Sequence, residues 1–185
     1  MIRQAINHLK IQDPEIKHLL DAFIIEDLQP VKNYFKSLTR IIIFQQLSGK
    51  AAQTILNRFL LLFPDKNYPL PEDVLLVSDK DLRGVGLSSS KTNYLKNISK
   101  AFINETFDHK NINEYNDKEI IEKLVKIKGV GPWTAQMFLI FTLNRLDVFP
   151  IGDMGVQKGF QKYFELEKIP TSYDMLSRSE IWKPY

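Results

Sequence analysis

Residues 124–135, which read LVKIKGVGPWTA, combine glycines and lysines in a way that suits phosphate binding. Gly129 and Gly131 can let the backbone adopt a positive φ and approach a ligand closely. A helix that begins at Pro132 presents unpaired backbone N–H groups, which suit a phosphate oxygen. Lys126 and Lys128 add positive charge, so the hairpin can hold a DNA backbone without reading its sequence. These residues alone also fit an ordinary helical hairpin whose glycines only form the turn.

The composition excludes several other chemistries. The 185 residues include no cysteine, which excludes disulfides, thiolate zinc sites, iron–sulfur clusters and a cysteine nucleophile. The three histidines, His8, His18 and His109, lack the spacing of metal ligands, so we do not expect a structural zinc site. The net charge of +3 permits a polyanionic partner without demanding one.

The hydrophobic content of 44% suits a folded, soluble protein, and the absence of cysteine fits an intracellular one. A chain of this length can form one domain or two closely joined helical lobes. No apolar run is long enough for a membrane span, and the first residues lack the apolar core and cleavage site of a signal peptide. We therefore expect a cytoplasmic protein that does not contact a membrane.

Hydrophobic spacing and helix breakers predict an all-α fold of roughly ten helices and no sheet. Asp13 is expected to cap a helix that begins at Pro14, and Asp117 one over 118–127. Residues 104–116 are polar and are interpreted as a connector. The other predicted helices cover 35–47, 51–63, 79–83, 88–102, 133–143 and 154–164, with short ones after Pro71 and from Ser172 or Asp174.

Four stretches together resemble one known family. The hairpin 124–135 and the loop 147–153 (DVFPIGD), which ends at Asp153, 22 residues past Gly131, resemble the helix-hairpin-helix base-excision DNA glycosylases. Residues 44–52 (FQQLSGKAA) and 86–95 (GLSSSKTNYL) resemble the DNA-3-methyladenine glycosylase II branch of that superfamily.

This resemblance runs from about residue 5 to residue 185, nearly the whole chain. It implies a single glycosylase domain over residues 1–185: an all-α, two-lobed helical bundle with a helix-hairpin-helix motif and a DNA cleft between the lobes. Members of the family usually continue past Tyr185 into a further helix. We therefore expect that C-terminal helix to be missing from this chain.

Trp133 decides the expected branch. Members of the superfamily with lyase activity place a lysine nucleophile at this position, two residues after the last hairpin glycine. Tryptophan cannot attack the sugar, so the resemblance implies a monofunctional enzyme without lyase activity. An aromatic pocket suits an electron-poor, often cationic, alkylated purine, and we predict that Trp133 and Met137 contribute to it. The alternative for Trp133 is a core aromatic at the start of a helix.

The resemblance implies that Asp153 is the catalytic carboxylate. Glycosidic cleavage builds positive charge on the deoxyribose, which a carboxylate beside C1′ stabilises while it orients or deprotonates a water. A helix that begins at Met154 would favour the anion. The alternative role, an N-cap, is compatible with catalysis. Asp147, at the start of the loop, fits the motif less well.

The target base lies inside the duplex, so the nucleotide must be flipped out. The resemblance implies that Gln45, Gln46, Leu47 and Ser48 form a turn at the minor groove. Gln46 or Leu47 would then fill the gap in the base stack, although Leu47 can equally be a packed helix end. The predicted backbone contacts come from Lys128, Gly129, Gly131 and Thr134.

Trp182 lies in a stretch, IWKPY, that resembles the family's segment near the active site. It can form a wall of the pocket against Asp153, or it can anchor the C-terminus in the core. The chemistry needs no metal and no cofactor. By resemblance, the carbonyls of Val125, Ile127 and Val130 could hold a monovalent cation that assists phosphate binding.

Three functions remain open on these residues. The first is a glycosylase for alkylated purines such as 3-methyladenine or 7-methylguanine, acting as a monomer on double-stranded DNA in base excision repair. The second is a catalytically weak or inactive DNA-binding module of the same fold, against which Asp153 argues. The third is a lyase that uses another lysine, against which Trp133 argues.

Overall fold

The structure, a computed structural model, describes all 185 residues as helices joined by turns, with no strand. The all-α prediction is confirmed. The α-helices are α1 (Ile2–Gln12), α2 (Lys17–Ala22), α3 (Tyr34–Phe44), α4 (Gly49–Leu61), α5 (Pro71–Leu76), α6 (Asp79–Gly84), α7 (Ser89–Ile103), α8 (Asp117–Leu124), α9 (Pro132–Phe141), α10 (Met154–Tyr163) and α11 (Ser172–Ser179). Short 3₁₀ helices cover Pro14–Ile16, Ile112–Glu114 and Glu180–Trp182. No helix has the length and apolar character needed to cross a membrane.

At the start of most of these helices, a polar N-cap side chain accepts a hydrogen bond from a backbone N–H that would otherwise be unpaired. The N-caps that do so are Asp13, Asn33, Ser48, Ser78, Ser88, Asn116, Asp153 and Thr171. The prediction for Asp13 is confirmed. The prediction that Asp117 caps α8 is wrong, because Asn116 is the N-cap and forms a reciprocal capping box with Glu119.

The chain forms two compact units, one of residues Val31–Thr142 and one of Met1–Pro30 with Leu143–Tyr185. In the first unit, α3 packs against α4, α7 and α9, and α5 packs against α7. Leu38, Ile42 and Phe138 are fully buried in its core. Residues 104–116 are more than the polar connector that the sequence predicts, because the side chains of Phe107 and Ile112 are buried.

Two helices of the first unit end earlier than the sequence predicts. Helix α3 ends at Phe44 rather than near Leu47, because Gln45 leaves the helical conformation and Gln46 has a φ of 56°. Helix α8 ends at Leu124 rather than Ile127, since the chain continues in tighter turns. The end of α3 lies directly before Gln45, a predicted DNA contact, and the end of α8 lies four residues before Lys128, another predicted contact.

The second unit is held together by a buried carboxylate. Asp13 is 2% exposed and accepts hydrogen bonds from Arg178, at 2.6 Å and 2.8 Å from Nη2 and 3.0 Å from Nε. The indole N–H of Trp182 donates to the same carboxylate at 2.8 Å. Burial opposes ionisation of Asp13, but these hydrogen bonds outweigh it and lower the pKa of the carboxyl. The network ties the end of the chain to its first helices.

Candidate active site and nucleic-acid interface

The hairpin forms as predicted. After α8, the N–H of Ile127 donates to Leu124 O at 3.0 Å and the N–H of Val130 to Ile127 O at 2.9 Å. Gly129 has a φ of 107°, which a residue with a side chain rarely adopts. Gly131 is extended instead, with a φ of −93°, and is the N-cap of α9.

Gly129 meets a neighbour that the sequence did not indicate. A β-carbon at Gly129 would lie 2.2 Å from the ring of Tyr94 on α7, whereas one at Gly131 would meet nothing within 4 Å. Gly129 is therefore required by the packing of the protein itself. Gly131 is the hairpin glycine with open space around it, which a phosphate group could occupy.

The first turn of α9 offers backbone N–H groups to a ligand. Gly131 has no side chain to cap the helix, and Pro132 occupies its first position. Thr134, a predicted DNA contact, is 1% exposed and its hydroxyl accepts a hydrogen bond from Gln45 Nε2 at 2.7 Å. Any contact of Thr134 with DNA would therefore use its backbone N–H.

The two hairpin lysines, Lys126 and Lys128, are exposed. The carbonyl of Lys128 accepts a hydrogen bond from Asn97 Nδ2 at 3.0 Å, which fixes the turn to α7. Both side chains are thus open to solvent, and their contact with phosphate stays a prediction.

No group of three His, Asp or Glu side chains is placed to hold a metal ion. Of the three carbonyls named for a monovalent cation, that of Ile127 already accepts the hydrogen bond from Val130 N–H, while Val125 is exposed. A carbonyl has two lone pairs, so Ile127 keeps one for a cation. The cation site stays a prediction.

The turn 45–48 presents its middle residues to solvent. Gln46 is exposed and Leu47 is 39% exposed, so the alternative of Leu47 as a packed helix end is wrong. Ser48 Oγ accepts from Ala51 N–H at 3.4 Å and caps α4. Gln46 and Leu47 are thus the two side chains of the turn that could enter a base stack.

Lys91 holds this turn in place, although it is not among the site residues that the sequence predicts. Its ammonium donates to the carbonyls of Ile43 at 2.9 Å and Gln45 at 2.6 Å, at the end of α3. Burial lowers the pKa of Lys91. One signal was available: Lys91 lies in the first turn of α7, where the helix dipole disfavours a cation, so a lysine there needs another role.

A cavity of about 560 Å³ opens in the unit Val31–Thr142. Trp133 and Met137, both predicted pocket residues, line it together with Phe44 and Phe141. The volume lies within the range of small-ligand sites, and the lining is mainly apolar and aromatic. Its cationic members are Lys36 and Arg40, and the guanidinium of Arg40 lies 4.1 Å from the centroid of the Phe44 ring.

Asp153 caps α10, as the N-cap interpretation of this residue predicted. Its Oδ1 accepts the N–H of Val156 at 2.9 Å, and its own N–H donates to Pro150 O at 2.9 Å. A β-carbon at Gly155 would lie 3.0 Å from Oδ1. The glycine therefore leaves room for the carboxylate at the positive end of the helix dipole.

Two contacts hold the loop before Asp153 in place. Gln157 Nε2 donates to Ile151 O at 2.7 Å, and the ring of Phe149 meets Trp182 edge-on with centroids 5.3 Å apart. Trp182 thus packs against the loop and anchors to Asp13. Its predicted place in the substrate pocket stays a prediction. Asp147, the weaker candidate for catalysis, is exposed.

Known proteins are similar to this chain in both sequence and fold. Residues 39–184 match the family described as HhH-GPD superfamily base excision DNA repair protein. The chain is 38% identical to DNA-3-methyladenine glycosylase 1 of Schizosaccharomyces pombe over 83% of this chain and 68% of that protein. It is 35% identical to DNA-3-methyladenine glycosylase of Saccharomyces cerevisiae over 98% of this chain and 70% of that one. The chain belongs to the HhH-GPD superfamily of base excision DNA repair proteins.

A solved DNA glycosylase structure has the same fold. The S. pombe 3-methyladenine DNA glycosylase in complex with abasic DNA superimposes with a TM-score of 0.88 at 34% identity, over 98% of this chain and 90% of that one. The resemblance noted in the sequence is thereby confirmed. The segment that matches the family, residues 39–184, includes the hairpin formed by α8, the turn and α9. It also includes Trp133, Asp153 and Trp182.

Proposed function

We propose that this protein is a monofunctional DNA glycosylase that hydrolyses the N-glycosidic bond of alkylated purines of the 3-methyladenine and 7-methylguanine type in base excision repair. The observation that carries the proposal is its membership of the HhH-GPD superfamily beside relatives named DNA-3-methyladenine glycosylase at 35% and 38% identity. Nucleotide flipping and action as a monomer on double-stranded DNA are parts of the same proposal.

The cavity beside Trp133 supports an alkylated purine as the substrate. An N-alkylated purine is flat and electron-poor, and an indole or phenyl face attracts it by stacking and cation–π interaction. Trp133 contributes an aromatic ring to the lining of the cavity, and Met137 adds a polarisable side chain. The ring of Phe44 also lines the cavity and contacts the guanidinium of Arg40. The base would bind there after the nucleotide has left the stack.

Asp153 supplies the negative charge that the reaction requires. The bond between C1′ and the base nitrogen breaks, and its electron pair leaves with the base. The oxygen of a water bonds to C1′, and Asp153 takes up the proton that this water loses. An N3- or N7-alkylated purine leaves as a neutral base, so no protein acid has to protonate it. The products are a free base and an abasic site.

Trp133 supports the absence of a lyase step. A Schiff base on the sugar needs an amine, and tryptophan has none. Borohydride should therefore trap no covalent product between this protein and abasic DNA. A trapped product would replace the hydrolytic mechanism by the lyase alternative.

The test of the function is incubation with duplex DNA methylated by a simple alkylating agent, followed by chromatography of the released bases. We expect 3-methyladenine, 7-methylguanine or both in the wild-type reaction, and neither from unmethylated DNA. DNA binding without release of any base would contradict the proposal and identify a binding module.

A further inference from the structure

A second groove lies beside the hairpin, within the unit Val31–Thr142, and has a volume of about 370 Å³. Four lysines line it: Lys100 on α7, Lys123 on α8, and Lys126 and Lys128 after α8. Asn97 and Asn104 contribute amide groups, and no acidic residue lines the groove. The groove therefore concentrates positive charge. Asp108, which lies outside the lining, is the carboxylate that interacts with one of these lysines, Lys123.

Five lysines outside the groove form ion pairs with carboxylates. Lys66 pairs with Asp73 at 2.6 Å and Lys183 with Glu180 at 2.8 Å, and Lys10, Lys96 and Lys110 are paired as well. In the groove, Lys100, Lys126 and Lys128 make no ion pair, and the ammonium of Lys123 lies 4.1 Å from the centroid of the Tyr115 ring. Unbalanced like charges repel each other, so an anion in the groove would be stabilising.

The groove adjoins the turn that is expected to hold a phosphate. Asn97 lines the groove and binds the carbonyl of Lys128, the residue before Gly129. One helical turn earlier on α7, Tyr94 packs against Gly129. A strand held at Gly131 could therefore continue over Lys128 towards Lys100 and Lys123.

We propose that this groove binds the sugar-phosphate backbone of DNA beyond the phosphates held by the hairpin, with Lys100 and Lys123 as its contacts. The proposal rests on the proposed function, because it extends the DNA track of the same enzyme. Ammonium groups on flexible stems and amide donors suit phosphodiester oxygens and do not select a base sequence. Free phosphate has the same chemistry, so the test separates the two sources.

The test measures how the affinity for undamaged duplex DNA depends on salt. The variant Lys100→Gln/Lys123→Gln is compared with wild type and with Lys80→Gln/Lys118→Gln, which removes the same charge at two exposed lysines outside the groove. For the groove variant, the slope of log K against log salt should become shallower by roughly 1 to 2, since each phosphate contact contributes about 0.9. The control pair should keep the wild-type slope.

Duplexes shortened from one end at a time locate the contact. The difference between the groove variant and wild type should vanish when the strand is trimmed at one end and persist when it is trimmed at the other. The proposal would be overturned if the salt slope of the groove variant were unchanged or if the control pair lost as much slope. A difference between the groove variant and wild type that is the same for every duplex length would also overturn it. Binding of inorganic phosphate to these lysines with an unchanged DNA slope would also overturn it, in favour of a free anion. Undamaged DNA is used throughout, so failure of base release by the wild-type enzyme is a separate result.

Discussion

The ring of Tyr94 lies where a side chain of Gly129 would begin, at 2.2 Å from an added β-carbon. Gly129 also has a φ of 107°. Two independent constraints of the fold therefore require a glycine there. Gly131 is under neither constraint, although the two glycines are equivalent members of the sequence pattern.

Gly129→Ala should destabilise the protein by about 2–3 kcal/mol, because it adds backbone strain and a clash with Tyr94. Gly131→Ala should leave the free energy of unfolding within about 0.5 kcal/mol of wild type, as expected where a side chain has space. Thermal or denaturant unfolding of the two variants checks this. Equal destabilisation by both would contradict the assignment of separate roles.

Gly131→Leu should fold and yet weaken DNA binding about tenfold, since a bulky side chain would displace the phosphate from the start of α9. The loss should be the same for duplexes of any sequence, because the backbone carries no base information. Fluorescence anisotropy with two unrelated duplexes provides the measurement. An unchanged affinity would remove the turn from the DNA interface.

Lys91→Met should lower the stability by about 1 kcal/mol and reduce insertion of the turn 45–48 into DNA, because two carbonyls lose a charged donor. The matched control is Lys96→Met, on the same helix, which removes only the surface ion pair with Asp79. Fluorescence of 2-aminopurine beside the lesion reports the inserted turn. Equal signals from wild type and Lys91→Met would reduce Lys91 to a structural residue.

The buried network of Asp13 predicts a specific dependence of stability on pH. The pKa of Asp13 is lowered in the folded state, so its contribution is present above the ordinary value of 3.8 and is lost as the pH falls through the folded value. Asp13→Asn should lower the free energy of unfolding by about 3 kcal/mol near neutral pH, as for other broken buried ion pairs. This difference should shrink only below pH 3.8. A gap that already closes near pH 6 would contradict the role of this carboxylate.

Trp133→Ala should reduce release of a methylated purine by roughly tenfold or more, because the base loses its aromatic partner. Met137→Leu, which lines the same cavity and conserves volume, should stay within about threefold of wild type. Single-turnover rates on methylated duplex DNA compare the two variants. If Met137→Leu were the more damaging change, the base would not stack on Trp133.

Local features of the fold could be predicted from the sequence. Pro132 begins α9, Asp153 caps α10 and Asp13 caps the turn at Pro14, because helix starts depend on neighbouring residues. The family could be predicted because its motifs are short and linked in order, and the family match confirms it.

Features that depend on distant residues could not be predicted. The early end of α3 depends on Lys91, 46 residues from Gln45. The indole N–H of Trp182 donates its hydrogen bond to Asp13, which lies 169 residues away and which no local pattern indicates. The separate roles of Gly129 and Gly131 likewise depend on Tyr94, which lies on another helix.

The most direct test of the account is the rate at which Asp153→Asn releases a methylated base under single-turnover conditions. Asparagine can keep the cap on Val156 N–H, so the fold and the affinity for DNA should be retained. We predict that release falls by at least about a hundredfold, as expected when the charge that stabilises the transition state is lost, while Asp147→Asn stays near wild type. Near-normal release by Asp153→Asn would contradict the assignment of Asp153 as the catalytic carboxylate.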